Sequence, residues 1–222
     1  MKNLDDVNWL GHAGFYFLDK SGNKIYFVDP FNLPALDLPK GDIVFITHAH
    51  YDHFSNNDIA KIVKQTTILV ATADVLAKSA ISSDKKFEVL PNKNYEVNGF
   101  SFLTIPAYNN KSERLNFHPK TNNWVGYIFN LNGKKVYHAG DTDFTEEMKD
   151  LKNLNLDVAM LPMGGTYTMN VDEMIEASNA IGAKYTVPMH YKDLLGKNYL
   201  QAEEKLKKGV INSKVLILKE VK

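Results

Sequence analysis

Apolar residues in this chain follow two alternating rhythms, and these predict its elements. Residues 7–10, 14–18 and 24–28 are short β-type runs, and Ser21-Gly22-Asn23 between the last two is a hairpin turn signal. Asp42-Ile43-Val44-Phe45-Ile46 carries a continuous apolar run, the pattern of a buried strand. The period then lengthens. Over 55–64, Ile59, Ile62 and Val63 form one helical stripe behind Ser55, a residue suited to the N-cap. Residues 67–71 return to strand and 74–80 form a short helix. A second strand-rich stretch covers 87–90, 95–97, 100–105, 124–130 and 134–138, with Asn132-Gly133 as the turn between the last two. Strand 157–161, helix 171–181, strand 185–187, helix 199–208 and strand 215–218 follow.

Hairpins followed by βα units, twice over, predict two similar halves, each a mixed sheet with helices on one side. No Pro/Gly/Ser-rich linker or low-complexity tract divides the chain, and no literal repeat relates the halves. The expectation is a mixed α/β fold in one domain spanning 1–222.

The chemistry gathers where strands end. Directly after the run at 42–46 comes Thr47-His48-Ala49-His50-Tyr51-Asp52-His53, three imidazoles and a carboxylate within six residues. Such groups are poor core material but are the ligands that suit zinc, iron and manganese. Asp141 follows the strand 134–138 through Ala139-Gly140, and Gly140 permits a tight turn that aims the carboxylate back over the sheet edge. His190 follows Val187-Pro188-Met189 at another strand end. Sites in layered α/β folds form beyond the carboxyl ends of strands. His12, after Gly11, is balanced between a core histidine and a pocket-lining proton donor. His138 lies inside a strand, which favours a structural or supporting role.

Composition narrows the options. The chain has 222 residues, 44% hydrophobic and 23% charged, with 26 basic and 26 acidic residues and a formal net charge of zero. A neutral balance weighs against a nucleic-acid partner. The absence of cysteine excludes disulfides, iron–sulfur clusters and thiolate zinc sites, so a metal must be held by His, Asp or Glu. Residues 1–6 lack the apolar core of a signal peptide, and no run approaches a membrane span, so a cytoplasmic protein without a membrane partner is expected. Oligomeric state is not legible.

The HxHxDH spacing is the signature of the metallo-β-lactamase superfamily, which this chain resembles nearly end to end. Trp9-Leu10-Gly11-His12-Ala13, Phe27-Val28-Asp29-Pro30, the histidine loop, 137–142, Leu161-Pro162-Met163-Gly164-Gly165 and Pro188-Met189-His190-Tyr191 carry the likeness. It looks like the branch of compact metal-dependent hydrolases that includes ascorbate-6-phosphate lactonase. The resemblance implies a four-layer αββα sandwich and two divalent ions, zinc by default with manganese or iron as alternatives. His48 and His50 would ligate the first ion and Asp52, His53 and His190 the second. Asp141 would bridge both, with Asp29 beneath them. The pattern departs at the first ion's third histidine. After 100–105 the chain reads Pro106-Ala107-Tyr108-Asn109-Asn110, with an asparagine where histidine is common. Either the loop folds back to deliver His118, or Asn109 or Asn110 takes that place.

A hydroxide shared by two cations would then attack a small ester, lactone or phosphoester, with Asp52, Asp141 and His12 moving protons. No GxSxG nucleophile motif competes with direct attack by water. Tyr108, Tyr167 and Tyr191 are candidate hydrogen-bond donors to the substrate. Arg114, the only arginine, offers a fork for carboxylate or phosphate. Two alternatives remain: an RNA or DNA phosphodiesterase of the same superfamily, and a non-hydrolytic diiron or metal-binding redox protein.

Overall fold

The computed structural model describes residues 6–34 and 37–221. These fall into two compact units, Met1–Val89 with Leu218–Lys222, and Leu90–Ile217.

The first unit is built on a six-stranded mixed sheet: β1 (Val7–Gly11), β2 (Gly14–Leu18), β3 (Ile25–Val28), β4 (Ile43–Phe45), β5 (Ile68–Ala71) and β6 (Lys86–Glu88), side by side in that order. The first three pair antiparallel and the rest run parallel from β3 onward. Helices α1 (Asn56–Ile62) and α2 (Ala73–Lys78) connect the parallel strands. Ser55 caps α1 as its residue type predicts, accepting from Asp58 N. The stripe Ile59 and Ile62 packs with Val75 and Leu76 of α2 against Phe27, Val44, Ile46 and Leu69. Burial of this apolar face, rather than helix propensity, holds such short helices.

The second unit is a seven-stranded mixed sheet. Its order is β13 (Lys214–Val215), β12 (Tyr185–Met189), β11 (Val158–Pro162), β10 (Lys134–His138), β9 (Val125–Leu131), β8 (Phe100–Pro106) and β7 (Asn94–Val97). Strands β7 to β10 form an antiparallel meander and β10 to β13 are parallel. Helices α3 (Glu146–Lys149), α4 (Val171–Ile181), α5 (Lys192–Leu195) and α6 (Tyr199–Gly209) accompany it. Asn170 and Glu173 form a reciprocal capping box that starts α4, and Gly182 ends it at φ 62°. Both asparagine–glycine turns, Asn98-Gly99 and Asn132-Gly133, hold positive φ at each residue, as a two-residue hairpin loop requires.

Two mixed sheets with helices agree with the expected α/β class. The differences are local. The four-residue α3 and α5 carry no readable apolar period. The strand expected over 215–218 stops at Val215, and beyond it Val221 N donates to Trp9 O within the first unit.

Register sets the level at which the strands end. In the first unit Val28 pairs with Phe45, so Asp29 and Thr47 leave neighbouring parallel strands close together. In the second, His138 pairs with Met160 and Met160 with Val187. Asp141 and His190 each follow three residues later, so the register brings both to one level.

Candidate functional site

In the first unit the histidine loop is organised by one carboxylate. Asp29, wholly buried, accepts from Thr47 N at 2.8 Å, from Thr47 Oγ1 at 2.7 Å and from His53 Nδ1 at 2.8 Å. The Thr47 hydroxyl proton is thus committed to Asp29, so its oxygen accepts from His48 Nδ1 at 2.9 Å. Both rings are thereby fixed with the proton on Nδ1, and Nε2 keeps its lone pair for a metal. His48 Nε2 lies 3.1 Å from His50 Nδ1. His12 Nε2 lies 3.0 Å from Asp52 Oδ2, and the His12 carbonyl accepts from Trp9 Nε1 at 3.1 Å.

In the second unit the centre is Asp141. His118 Nε2 and His190 Nε2 stand 3.3 and 3.2 Å from its Oδ2, and all three side chains are buried. His118 arrives through a folded loop. Asn109 Oδ1 accepts from His118 N at 3.0 Å and from His118 Nδ1 at 2.8 Å, which again fixes the proton on Nδ1. The Asn109 amide nitrogen donates to Tyr167 O at 3.0 Å, so the whole amide supports the loop. His138, buried in β10, accepts from Gly140 N through Nδ1 and steadies the turn before Asp141. Gly164 is required by close approach: a Cβ there would stand 2.7 Å from His190 O and 2.4 Å from Leu194 Cδ1.

Backbone strain marks the same residues. Among the described residues nine non-glycine positions have positive φ, and six are asparagine, which tolerates that conformation. The other three are His12, Asp29 and His190, at φ 49°, 44° and 54°. Residues held in this region are costly and cluster at functional sites.

The donor set fits a divalent metal. Charge-assisted hydrogen bonds run about 2.7–2.9 Å, so 3.2 and 3.3 Å are long for imidazole–carboxylate pairs. Neighbouring corners of a tetrahedron with bonds of about 2.0–2.1 Å stand about 3.3 Å apart. His118 and His190 each therefore stand from Asp141 at the spacing of two ligands that share a cation.

Three expected substrate contacts are instead engaged within the protein. Arg114 is buried, with Nε 2.9 Å from Asp143 Oδ1 and Nη2 2.7 Å from Glu173 Oε1. Its fork ties the loop to α4 because burying a guanidinium requires carboxylate partners. Tyr191 OH donates to Glu203 Oε1 at 2.5 Å, and burial followed by that carboxylate pushes the phenol far above its ordinary pKa. Tyr108 OH donates to Glu147 Oε2 at 2.8 Å and accepts from Lys120 Nζ at 3.1 Å. Tyr167 alone of the four remains substantially exposed.

Asp143 was not foreseen. Its Oδ2 accepts from the backbone nitrogens of Asn110 and Lys111 at 2.9 and 3.1 Å, while Oδ1 faces Arg114. Its place two residues after Asp141 was the available signal, as was the position of Thr47 directly before His48.

Mixed sheets whose parallel strands end on oriented imidazoles and carboxylates define a metal-binding α/β hydrolase class. The sequence model of the Beta-lactamase superfamily domain matches residues 6–190. A UPF0173 metal-dependent hydrolase of Pyrococcus abyssi is 36% identical over 198 residues, covering 83% of this chain and 84% of that protein. One from Thermococcus onnurineus is 33% identical over 196 residues, with coverage of 83% and 84%. The crystal structure of a proposed metal-dependent hydrolase from Parabacteroides distasonis matches at a TM-score of 0.83 and 28% identity, covering 97% of this chain and 93% of that one. The chain belongs to the β-lactamase superfamily and, within it, to a family of metal-dependent hydrolases. Among the described residues, no helix is long and apolar enough to cross a membrane.

Proposed function

We propose that this metal-dependent hydrolase binds two zinc ions, with manganese or iron as substitutes, and cleaves a small carboxylic ester, lactone or phosphoester. The observation that carries this is the convergence of His118 Nε2 and His190 Nε2 on Asp141 Oδ2 at the spacing of metal ligands. The ligands are His48, His50, Asp52 and His53 in the first unit and His118, Asp141 and His190 in the second, as the family resemblance implies. Asp29, Thr47 and Asn109 hold the rings in the tautomer that ligation needs. The metal, when bound, supplies a water of lowered pKa as nucleophile and a Lewis acid for the developing oxyanion.

The chain's own residues manage protons and orientation. His12 Nε2 donates to Asp52 Oδ2, 3.0 Å away, which orients that carboxylate so that its other oxygen can take up a proton. Residues 1–222 act as one hydrolase domain, for which a single cooperative unfolding transition is the measure.

Mass-spectrometric metal analysis of the purified protein, then turnover of lactone, ester and phosphoester panels before and after chelation, tests this reading. Metal uptake with chelator-sensitive hydrolysis is expected. A metal-loaded protein that turns over none of the three classes would overturn it.

A further inference from the structure

Of the second unit's seven exposed large hydrophobics, Phe117, Tyr167 and Leu194 adjoin residues near Asp141. Phe117 directly precedes His118. Its ring meets Tyr167 edge to face, with centroids 4.8 Å apart at 89°, and the two are 37% and 40% exposed. Tyr167 O receives the Asn109 amide that holds His118. Leu194 fills the space beside Gly164, where the nearest backbone is His190 O. An aromatic pair left open on a stable loop is a preformed surface for an apolar group.

The loop is fixed from beneath. Asp143 holds the nitrogens of Asn110 and Lys111 together with Arg114, and Arg114 also reaches Glu173. The same bonds remove charge from recognition. The Arg114 fork is spent on two carboxylates, and Lys120 lies 2.9 Å from Glu147 Oε1. The loop's third cation, Lys111, likewise faces a carboxylate, with Nζ 3.9 Å from Glu173 Oε1.

We infer that the substrate carries an uncharged aryl or alkyl group beyond the bond that is cleaved, seated on Phe117 and Tyr167. This narrows the class to apolar carboxylic esters and lactones, against phosphorylated ones, and it rests on the hydrolase reading above.

The test uses the metal-loaded full chain. A phenyl-substituted γ-lactone is compared with γ-butyrolactone, 4-nitrophenyl hexanoate with the acetate, and a phosphorylated sugar lactone with all four. Calorimetry gives the Kd of phenylacetate against acetate, a readout free of turnover. The apolar member of each pair is expected to gain about tenfold or more in kcat/KM, as burial of several methylenes allows. Phenylacetate is expected to bind about tenfold more tightly than acetate. Phe117→Ala and Tyr167→Ala, checked for metal content, are expected to collapse both ratios. Turnover without apolar preference, or preference for the phosphorylated lactone, would overturn this inference alone. No turnover of any ester or lactone would also overturn this inference, and the proposed function falls with it only if phosphoesters are left uncleaved as well.

Discussion

The first unit supplies its candidate ligands from one short loop, His48 to His53, steadied by one carboxylate from the neighbouring strand. The second draws His118, Asp141 and His190 from three distant segments and needs a buried ion-pair network to bring one of them in. The first arrangement has its geometry written into consecutive residues. The second depends on long-range contacts, so it is exposed to changes far along the chain from any ligand.

The largest effect expected is loss of a ligand on either side. Asp52→Ala and Asp141→Ala are each expected to lower kcat/KM by about 10²-fold or more, at least what removing one oriented donor costs. The double variant His48→Ala/Asp141→Ala is expected to lose metal, read by mass spectrometry on the folded protein. Unchanged stoichiometry there would sink the assignment of ligands to both units.

Next comes the support of the second unit. Arg114→Met leaves the wholly buried Asp143 carboxylate without its cation. Breaking a buried pair in this way costs about 3–5 kcal/mol, and partial exposure of Glu173 argues for the lower end. Denaturant titration measures it. Arg114→Lys is expected to rescue little, since an ammonium cannot span two carboxylates as a fork does. If Arg114→Met instead left stability intact and raised KM alone, the arginine would be a substrate contact.

These differences explain what was legible beforehand. The HxHxDH loop was readable because local spacing and a preceding apolar run suffice to place it. Asp141 and His190 were readable because each follows a strand. Strand pairing brings them to one level, and that pairing follows from apolar patterning. Asn109 was visible only as a departure from pattern. Its partnership with His118 closes a nine-residue loop, and nothing in the local sequence states which way that loop turns. Arg114 and Tyr191 were expected as substrate contacts from residue type and place in the chain. Charge and a hydroxyl near a motif suggest chemistry, but here burial commits them to Asp143, Glu173 and Glu203. Burial is a property of the fold, and residue type alone does not reveal it.

The ring-orienting groups allow a matched test. Asp29→Asn in the first unit and Asn109→Ala in the second are each expected to weaken metal affinity by about 10–100-fold, the usual cost of losing a partner behind a ligand. Competition with a chromophoric chelator reads it. The Asp29 change is expected to be larger, because that carboxylate serves Thr47 and His53 together. A reversed order would show that the dispersed cluster depends on its support more than the compact one does, and an equal one that the two depend on it alike.

The loop after Asp29 has its own tether. Asp58 accepts from Asn32 N, Leu33 N and Lys61 Nζ. Burial pushes its carboxyl up, but Lys61, Ser55, Leu33 and Asn32 outweigh this and hold it below the ordinary range. A depressed carboxyl contributes stability above its unfolded pKa, near about 3.9, and loses it as pH falls through the folded value. Wild type is expected to lose stability relative to Asp58→Asn below that point, and to exceed it by about 1 kcal/mol at neutral pH. A difference that is flat with pH would show that the ionised form contributes nothing.

The smallest effect expected separates two tyrosines that each adjoin a ligand. Tyr51, between His50 and Asp52, is 79% exposed, whereas Tyr191, next to His190, is 1% exposed. Tyr191 OH donates to Glu203 Oε1, itself nearly buried. Removing that donor leaves a carboxylate short of a partner, which costs about 1–3 kcal/mol. Tyr191→Phe is therefore expected to lower stability while kcat/KM stays within about twofold. Tyr51→Phe, which removes an exposed hydroxyl, is expected to leave stability unchanged within about 0.5 kcal/mol. Tyr191 was a candidate substrate donor by its place beside His190, so the variant decides between position and burial. A fall in kcat/KM without loss of stability would return it to the substrate. Loss of stability alone fixes it as a strut that anchors α6 behind the strand end carrying His190.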